Sequence, residues 1–253
     1  MQLTISAISD KGCVREHNED MVLIGNNVFR DDEMKLVVDL QGEDGKFFVA
    51  VADGMGGHNA GGIASEIVLQ MMTEKISILE INLTEKQLAD KVSQWINEIH
   101  SYILDEGSRN VERKGMGTTL VGVLFYNNMA YYLNVGDSKL YRFRDSYLTQ
   151  VSEDHSLRKL TGDENIPSNI LLNSIGGGEK IYVEFAPVSK KLFDGDTFLI
   201  CSDGLSDMLI DDEIEEILNN REDSLNMLLT EAKRRGGKDN ISIILVKISI
   251  TSW

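Results

Sequence analysis

The sequence predicts an α+β fold, a β-sandwich of mostly antiparallel sheets flanked by pairs of helices. Three observations carry that reading. Helical and strand patterns come in blocks and not in βαβ alternation, which favours antiparallel pairing. Several strand candidates are almost uninterrupted apolar runs, the pattern of strands buried on both faces. Two pairs of helical segments are available to cover the outer faces of such sheets.

In chain order, residues 3–8 alternate as an edge or half-buried strand, and Gly12 opens the polar segment CVREHNED. Residues 21–24 and 35–38 are further short strands, with Asn26, Asn27, Asp31 and Asp32 between them reading as a polar hairpin loop. A turn at 41–45 leads into the central run KFFVAVADGMGGHNAGG, residues 46–62. After its glycines, Ile63, Ile67, Met71 and Ile78 recur at helical spacing over roughly five turns. A second helix begins at Thr84, where Thr84 and Gln87 form a capping-box pattern, and Leu88, Val92, Trp95, Ile99 and Ile103 mark its buried stripe. From Gly117 the segments TTLVGVLFY, MAYYLNVGDS, KLYRFR and YLTQV read as a meander of hairpins. Residues 157–179 form a polar surface excursion closing on Gly176, Gly177 and Gly178. Strands at 181–185 and 197–201, helices over 211–218 and 223–234, and a last strand at 241–248 complete one domain spanning 1–253.

Composition narrows the partners. The chain has 253 residues, 42% hydrophobic and 26% charged, as an ordinary globular domain does. Its formal net charge of -16 sets up a field that repels phosphate, disfavouring nucleic acid and anionic membranes and suiting metal cations or basic protein segments. A merely solubilising acidic surface is the plain alternative. Two cysteines, Cys13 and Cys201, make no disulfide framework, and the N-terminus lacks a basic and an apolar targeting region. A cytoplasmic monomer is expected.

The chemistry lies in carboxylates at strand ends. The central run stops at Asp53, followed by Gly54 and Gly56; TFLICSDG ends in Asp203; YYLNVGDS ends in Asp137; and Asp239 precedes the last apolar strand. An Asp-Gly pair is usually an exposed turn. Four such carboxylates at the ends of buried strands instead suggest one polyanionic pocket, which requires something positive inside it. Hard divalent ions such as magnesium and manganese take oxygen ligands, and a pair about 4 Å apart can generate hydroxide and clamp a phosphoryl group. Asp53 is the natural bridging ligand, with the Gly54 carbonyl beside it, and Asp203 and Asp239 complete the pair. Glu19 or Asp20 adds further charge, and the planar fork of Arg15 suits phosphate oxygens. No phosphate-binding loop, zinc-protease helix, nucleophile elbow or cysteine–arginine phosphatase motif is present.

The segments VREHNED (14–20), VADGMGG (51–57), GMGTTL (115–120), NVGDS (134–138), EDHS (153–156), SDGLSD (202–207) and GGKDNIS (236–242) occur in the order of a known family. On them the chain resembles the bacterial metal-dependent protein phosphatases of the 2C type. The resemblance implies a four-layer αββα sandwich with a binuclear manganese or magnesium site at one end of the sheets. It implies hydrolysis of phosphoserine and phosphothreonine by metal-bound water, without a phosphoenzyme. Carried over, Arg15 binds phosphate, Asp53, Gly54, Asp203 and Asp239 hold the core metals, and Glu19 and Asp20 support the metal waters. Asp137 with Asp203, helped by Asp207, would hold a third ion, and 157–179 corresponds to the flap bordering the active site. Where some members carry a histidine two residues after the bridging aspartate, this chain has Met55; the nearby His58 is the candidate acid, with water as the alternative. The expected partners are phosphorylated proteins, substrates of a bacterial serine/threonine kinase, in signal transduction. The alternative is a non-catalytic signalling module that keeps the fold and binds a partner protein; the complete carboxylate set argues for the enzyme.

Overall fold

Strand ends meet at one edge of two stacked sheets, and the residue patterns explain how. The structure, a computed structural model, describes residues 1–41, 44–56, 60–163, 165–167, 170–220 and 223–250. Among them the chain forms β1 (Gln2–Asp10), β2 (Met21–Ile24), β3 (Asn27–Phe29), β4 (Glu33–Asp39), β5 (Lys46–Ala52), β6 (Gly54–Met55), α1 (Ala60–Ser77), α2 (Glu85–Arg109), β7 (Gly117–Thr118) and β8 (Leu120–Tyr126). It continues through β9 (Met129–Val135), β10 (Lys139–Arg144), β11 (Tyr147–Gln150), α3 (Leu157–Thr161), β12 (Glu184–Pro187), β13 (Thr197–Cys201), α4 (Asp203–Ser206), α5 (Asp211–Asn219), α6 (Ser224–Arg234) and β14 (Ile241–Ser249).

Two six-stranded sheets result, one ordered β11-β10-β13-β14-β1-β4 and the other β12-β9-β8-β5-β2-β3. Every pairing within them is antiparallel. The period-2 alternation of a strand assigns its two faces to two different cores. In β5, Phe47, Val49 and Val51 enter the core between the sheets, while Phe48, Ala50 and Ala52 pack under α1 and α2. In β14, Ile244, Val246 and Ile248 face the inter-sheet core, and Ile241 and Ile243 pack with Leu225, Leu228 and Leu229 of α6. The expected αββα layering is therefore observed.

Four local expectations are corrected. The meander of hairpins does not exist as one unit: β8 and β9 lie in one sheet, and the chain crosses at Gly136–Asp137–Ser138 to put β10 and β11 in the other. The loop after β2 contains the short strand β3, and β4 pairs with β1 in the opposite sheet. The strand expected at 181–185 is observed as Glu184–Pro187. On α1 the buried face is Ala64, Val68, Leu69 and Met72, and Ile78 is 75% exposed. Small residues on that face let the helix approach the sheet, so the larger Ile63, Ile67 and Met71 flank the contact. The stripe read for α2 is buried throughout, and the Thr84–Gln87 capping box is formed.

Candidate functional site

The loop after β5, the crossing after β9, the turn after β13 and the approach to β14 all open on one cavity of about 200 Å³. Arg15, Glu19, Asp53, Gly54, Met55, Asp137, Asp203 and Asp239 line it. Thus seven of the expected residues are brought together: Arg15, Glu19, Asp53, Gly54, Asp137, Asp203 and Asp239. Asp20 is fully buried behind the wall, where its Oδ2 accepts from the Ser202 hydroxyl at 2.7 Å. Asp207 is exposed at the C-terminus of α4, away from the cavity lining. Its charge still acts on Asp203. His58 lies outside the described residues.

Each wall is held by hydrogen bonds among backbone groups and neutral side chains. The Asp53 N–H donates to Thr119 Oγ1 at 3.0 Å, and the Asp53 carbonyl accepts from Thr119 N–H at 2.9 Å and from the Thr118 hydroxyl at 2.8 Å. Thr119 Oγ1 in turn lies 2.8 Å from Ser138 Oγ, joining the Asp53 and Asp137 turns. Asn240 ties the N-terminal loop to β14: its Oδ1 accepts from Glu19 N–H at 2.8 Å, and its Nδ2 donates to the Lys11 and His17 carbonyls, each at 3.0 Å. Backbone crowding requires glycine at two points. A Cβ on Gly54 would lie 2.3 Å from the Gly61 carbonyl oxygen, and one on Gly204 would lie 1.9 Å from that of Asn240.

Crowded negative charge shapes the electrostatics. Burial, then the Ser202 and Ser242 hydroxyls in opposition, and the charges of Asp203 and Asp239 leave Asp20 pushed up to about 7. Burial and then Asp203 push Asp137 up to about 8. Burial and then Asp239 and Asp207 push Asp203 up to about 6, and burial with Asp20 and Asp203 holds Asp53 well above the usual carboxylate range. The balancing cation at the rim is Arg15, whose Nη2 donates to Asp239 Oδ2 at 2.5 Å, with side chains 52% and 35% exposed.

The donor set fits hard divalent cations. Among the described residues Glu19 Oε1, Asp20 Oδ1 and Asp203 Oδ1 are buried without a hydrogen-bond partner, and three orphaned carboxylate oxygens in one neighbourhood are costly unless a cation satisfies them. Among the described residues no group of three or more histidine, cysteine or acidic side chains is arranged to hold a metal ion on its own. Magnesium-type ions retain several waters and do not need such a group.

Thr119, Ser138, Ser202, Asn240 and Ser242 have no role that the sequence alone assigns. All five lie within the segments GMGTTL, NVGDS, SDGLSD and GGKDNIS, so their positions carry the signal. Their bonds to partners distant in the chain do not show in it.

Antiparallel sheets between helix pairs, with an acidic cavity and a rim arginine at one end, define a class that includes bacterial serine/threonine phosphatases. The similarity is measurable. The catalytic domain of the phosphatase PstP in complex with two manganese ions matches 98% of this chain and all of that one, at TM-score 0.75 and 28% identity. Serine/threonine phosphatase Stp1 from Staphylococcus aureus matches 97% of this chain and 95% of its own, at TM-score 0.82 and 26% identity. By sequence, the serine/threonine phosphatase stp of Listeria monocytogenes serotype 4b is 34% identical over 256 residues, covering 96% of this chain and 95% of that protein. The family described as Protein phosphatase 2C matches residues 23–240. The chain belongs to the protein phosphatase 2C family, metal-dependent enzymes that hydrolyse phosphoserine and phosphothreonine in proteins.

Proposed function

We propose that this cavity is the catalytic site of a protein serine/threonine phosphatase, with Asp53, Gly54, Asp203 and Asp239 holding two manganese or magnesium ions. The observation that carries the reading is the trio of orphaned carboxylate oxygens on Glu19, Asp20 and Asp203 beside an arginine at the rim. Bound there, the ions supply the positive charge that offsets the carboxylates, acidifies water and polarises the phosphoryl group.

The chain's own residues do the rest. Arg15 exchanges Asp239 for two oxygens of the substrate phosphate, a bidentate contact its planar fork suits. Glu19 at the wall, and Asp20 buried behind it, support the water held there, and Asp137 with Asp203 would hold a third ion, the exposed Asp207 adding its charge from outside the cavity. Thr119, Ser138 and Asn240 fix the loops so that these groups hold their geometry before substrate arrives. Met55, two residues after Asp53, has no proton to give the departing serine or threonine oxygen, and His58 is the residue we assign to that task. The substrates we assign are cytoplasmic proteins phosphorylated by a serine/threonine kinase, and the enzyme acts in that signalling as a monomer.

Turnover of p-nitrophenyl phosphate and of a phosphothreonine peptide tests the reading. Hydrolysis is expected with added manganese and is abolished by EDTA; a well-folded protein inert in manganese would make the chain a binding module.

A further inference from the structure

The segment EDHS carries a residue to which the catalytic reading gives no task. His155 has a side chain only 10% exposed and lies between the Asp137 turn and the flap. Its backbone N–H donates to the Gly136 carbonyl at 3.0 Å, and the Gly136 N–H returns a bond to His155 Nδ1 at 3.1 Å. On the other side, the Leu172 N–H donates to the His155 carbonyl at 2.9 Å, and Asn173 Nδ2 lies 2.9 Å from the same Nδ1. Gly136 precedes Asp137, and Leu172 follows Leu171, and both Asp137 and Leu171 line the catalytic cavity.

The donors fix the imidazole's state. A backbone N–H can only donate, so Nδ1 must present its lone pair to Gly136. The Asn173 amide is oriented independently, because its Oδ1 accepts from Tyr182 N–H at 3.0 Å and its Nδ2 donates to the Tyr182 carbonyl at 2.8 Å. Asn173 therefore also donates to Nδ1, and two N–H groups share one lone pair. The ring proton is left for Nε2, which has no hydrogen-bond partner among the described residues and faces Glu184 Oε2 at 3.9 Å. Glu184 is itself fixed: its Oε1 accepts from the Tyr132 hydroxyl at 2.8 Å, and its Oε2 from Asn134 Nδ2 and Glu153 N–H, each at 3.2 Å. Its charge favours a proton on the facing nitrogen.

We infer that His155, as the Nε2–H tautomer, is a positioning residue that pins the Gly136–Asp137 turn and the Leu171–Asn173 edge of the flap to one another, and so sets that wall of the catalytic cavity. The inference rests on the phosphatase reading for its effect on turnover and on geometry alone for the tautomer and the pin.

Three variants separate acceptor from bulk. The Oδ1 in His155→Asn occupies the place of Nδ1, the amide in His155→Gln reaches instead toward Nε2, and His155→Phe fills the space with no acceptor. In saturating manganese, kcat/KM on p-nitrophenyl phosphate is expected to fall about 10- to 100-fold in His155→Phe and His155→Gln, the scale seen when a residue supporting a catalytic group is lost. His155→Asn should return to within about threefold of the wild type, since it restores the same acceptor. In EDTA, amide exchange at Gly136 and Leu172 should quicken in His155→Phe and stay slow in His155→Asn. A long-range 1H–15N spectrum of the wild type should show an unprotonated Nδ1. A proton on Nδ1, or a His155→Phe protein with wild-type turnover and exchange, would overturn the pin. Should His155→Phe fail to fold, the wild-type spectrum and the Asn-against-Gln comparison still decide. An inert wild type with the expected tautomer and exchange would sink the phosphatase reading and leave the pin standing.

Discussion

Arg15 is the residue on which charge balance at the rim turns. The structure places its guanidinium on Asp239. That contact raises the Arg15 pKa, and in the proposed cycle the same donors pass to the phosphate. Arg15→Ala should therefore raise KM for a phosphopeptide by about tenfold, the worth of one charge-assisted contact, with a smaller change in kcat. Steady-state kinetics on the phosphopeptide check this, and an unchanged KM would remove Arg15 from the phosphate site. The carboxylates Asp53, Asp203 and Asp239 are legible in the sequence because each stands next to the end of an apolar run, where an ordinary turn would not be buried. Thr119 and Asn240 are not, because a single hydroxyl or amide has no periodicity and its partner lies far away in the chain: Asp53 in one case, Glu19 in the other.

At the scale of elements, the site depends on how closely loops and strand ends approach. The turn from β13 into α4 runs against the backbone before β14, with Gly204 against the Asn240 carbonyl. Gly204→Ala forces those two segments apart, and a loss of about 2–4 kcal/mol is expected, read as a fall in the denaturation midpoint and accompanied by loss of turnover. A Gly204→Ala protein with wild-type stability would contradict the packing described. Strands are legible where both faces are buried, as in β5, β8 and β14, since a short apolar run bounded by turn residues is the pattern a doubly covered strand leaves. Two features are not legible. The contact face of α1 begins with Ala60, Gly61, Gly62, Ala64 and Ser65 before Val68, Leu69 and Met72, and such small residues do not show in a stripe of large hydrophobes. The crossing at Asp137 reads as a hairpin because local turn chemistry is the same whether the next strand joins its neighbour or the opposite sheet.

Over the whole molecule, the fold gathers acidic groups that it can tolerate only with protons or cations. Folded Asp203, Asp20 and Asp137 titrate at about 6, 7 and 8, above their ordinary value near 3.8, so the folded chain binds more protons than the unfolded chain across that interval. Their contribution to stability is complete below about 4 and is lost as the pH rises through the folded values. In EDTA the denaturation midpoint should fall between about pH 5 and pH 8, and manganese should remove most of that fall by binding the folded state. Asp203→Asn should gain on the order of 1–3 kcal/mol at pH 8 in EDTA while losing turnover, because it deletes a charge the fold holds at a cost. A midpoint that rises with pH in EDTA would contradict this electrostatic account. The central claim, that the acidic cavity binds divalent cations, is tested most directly by calorimetric titration of manganese into EDTA-stripped, dialysed wild-type and Asp53→Asn proteins. The account predicts at least two ions per wild-type chain and loss of binding in Asp53→Asn; no binding by the wild type, or equal binding by both, would contradict it.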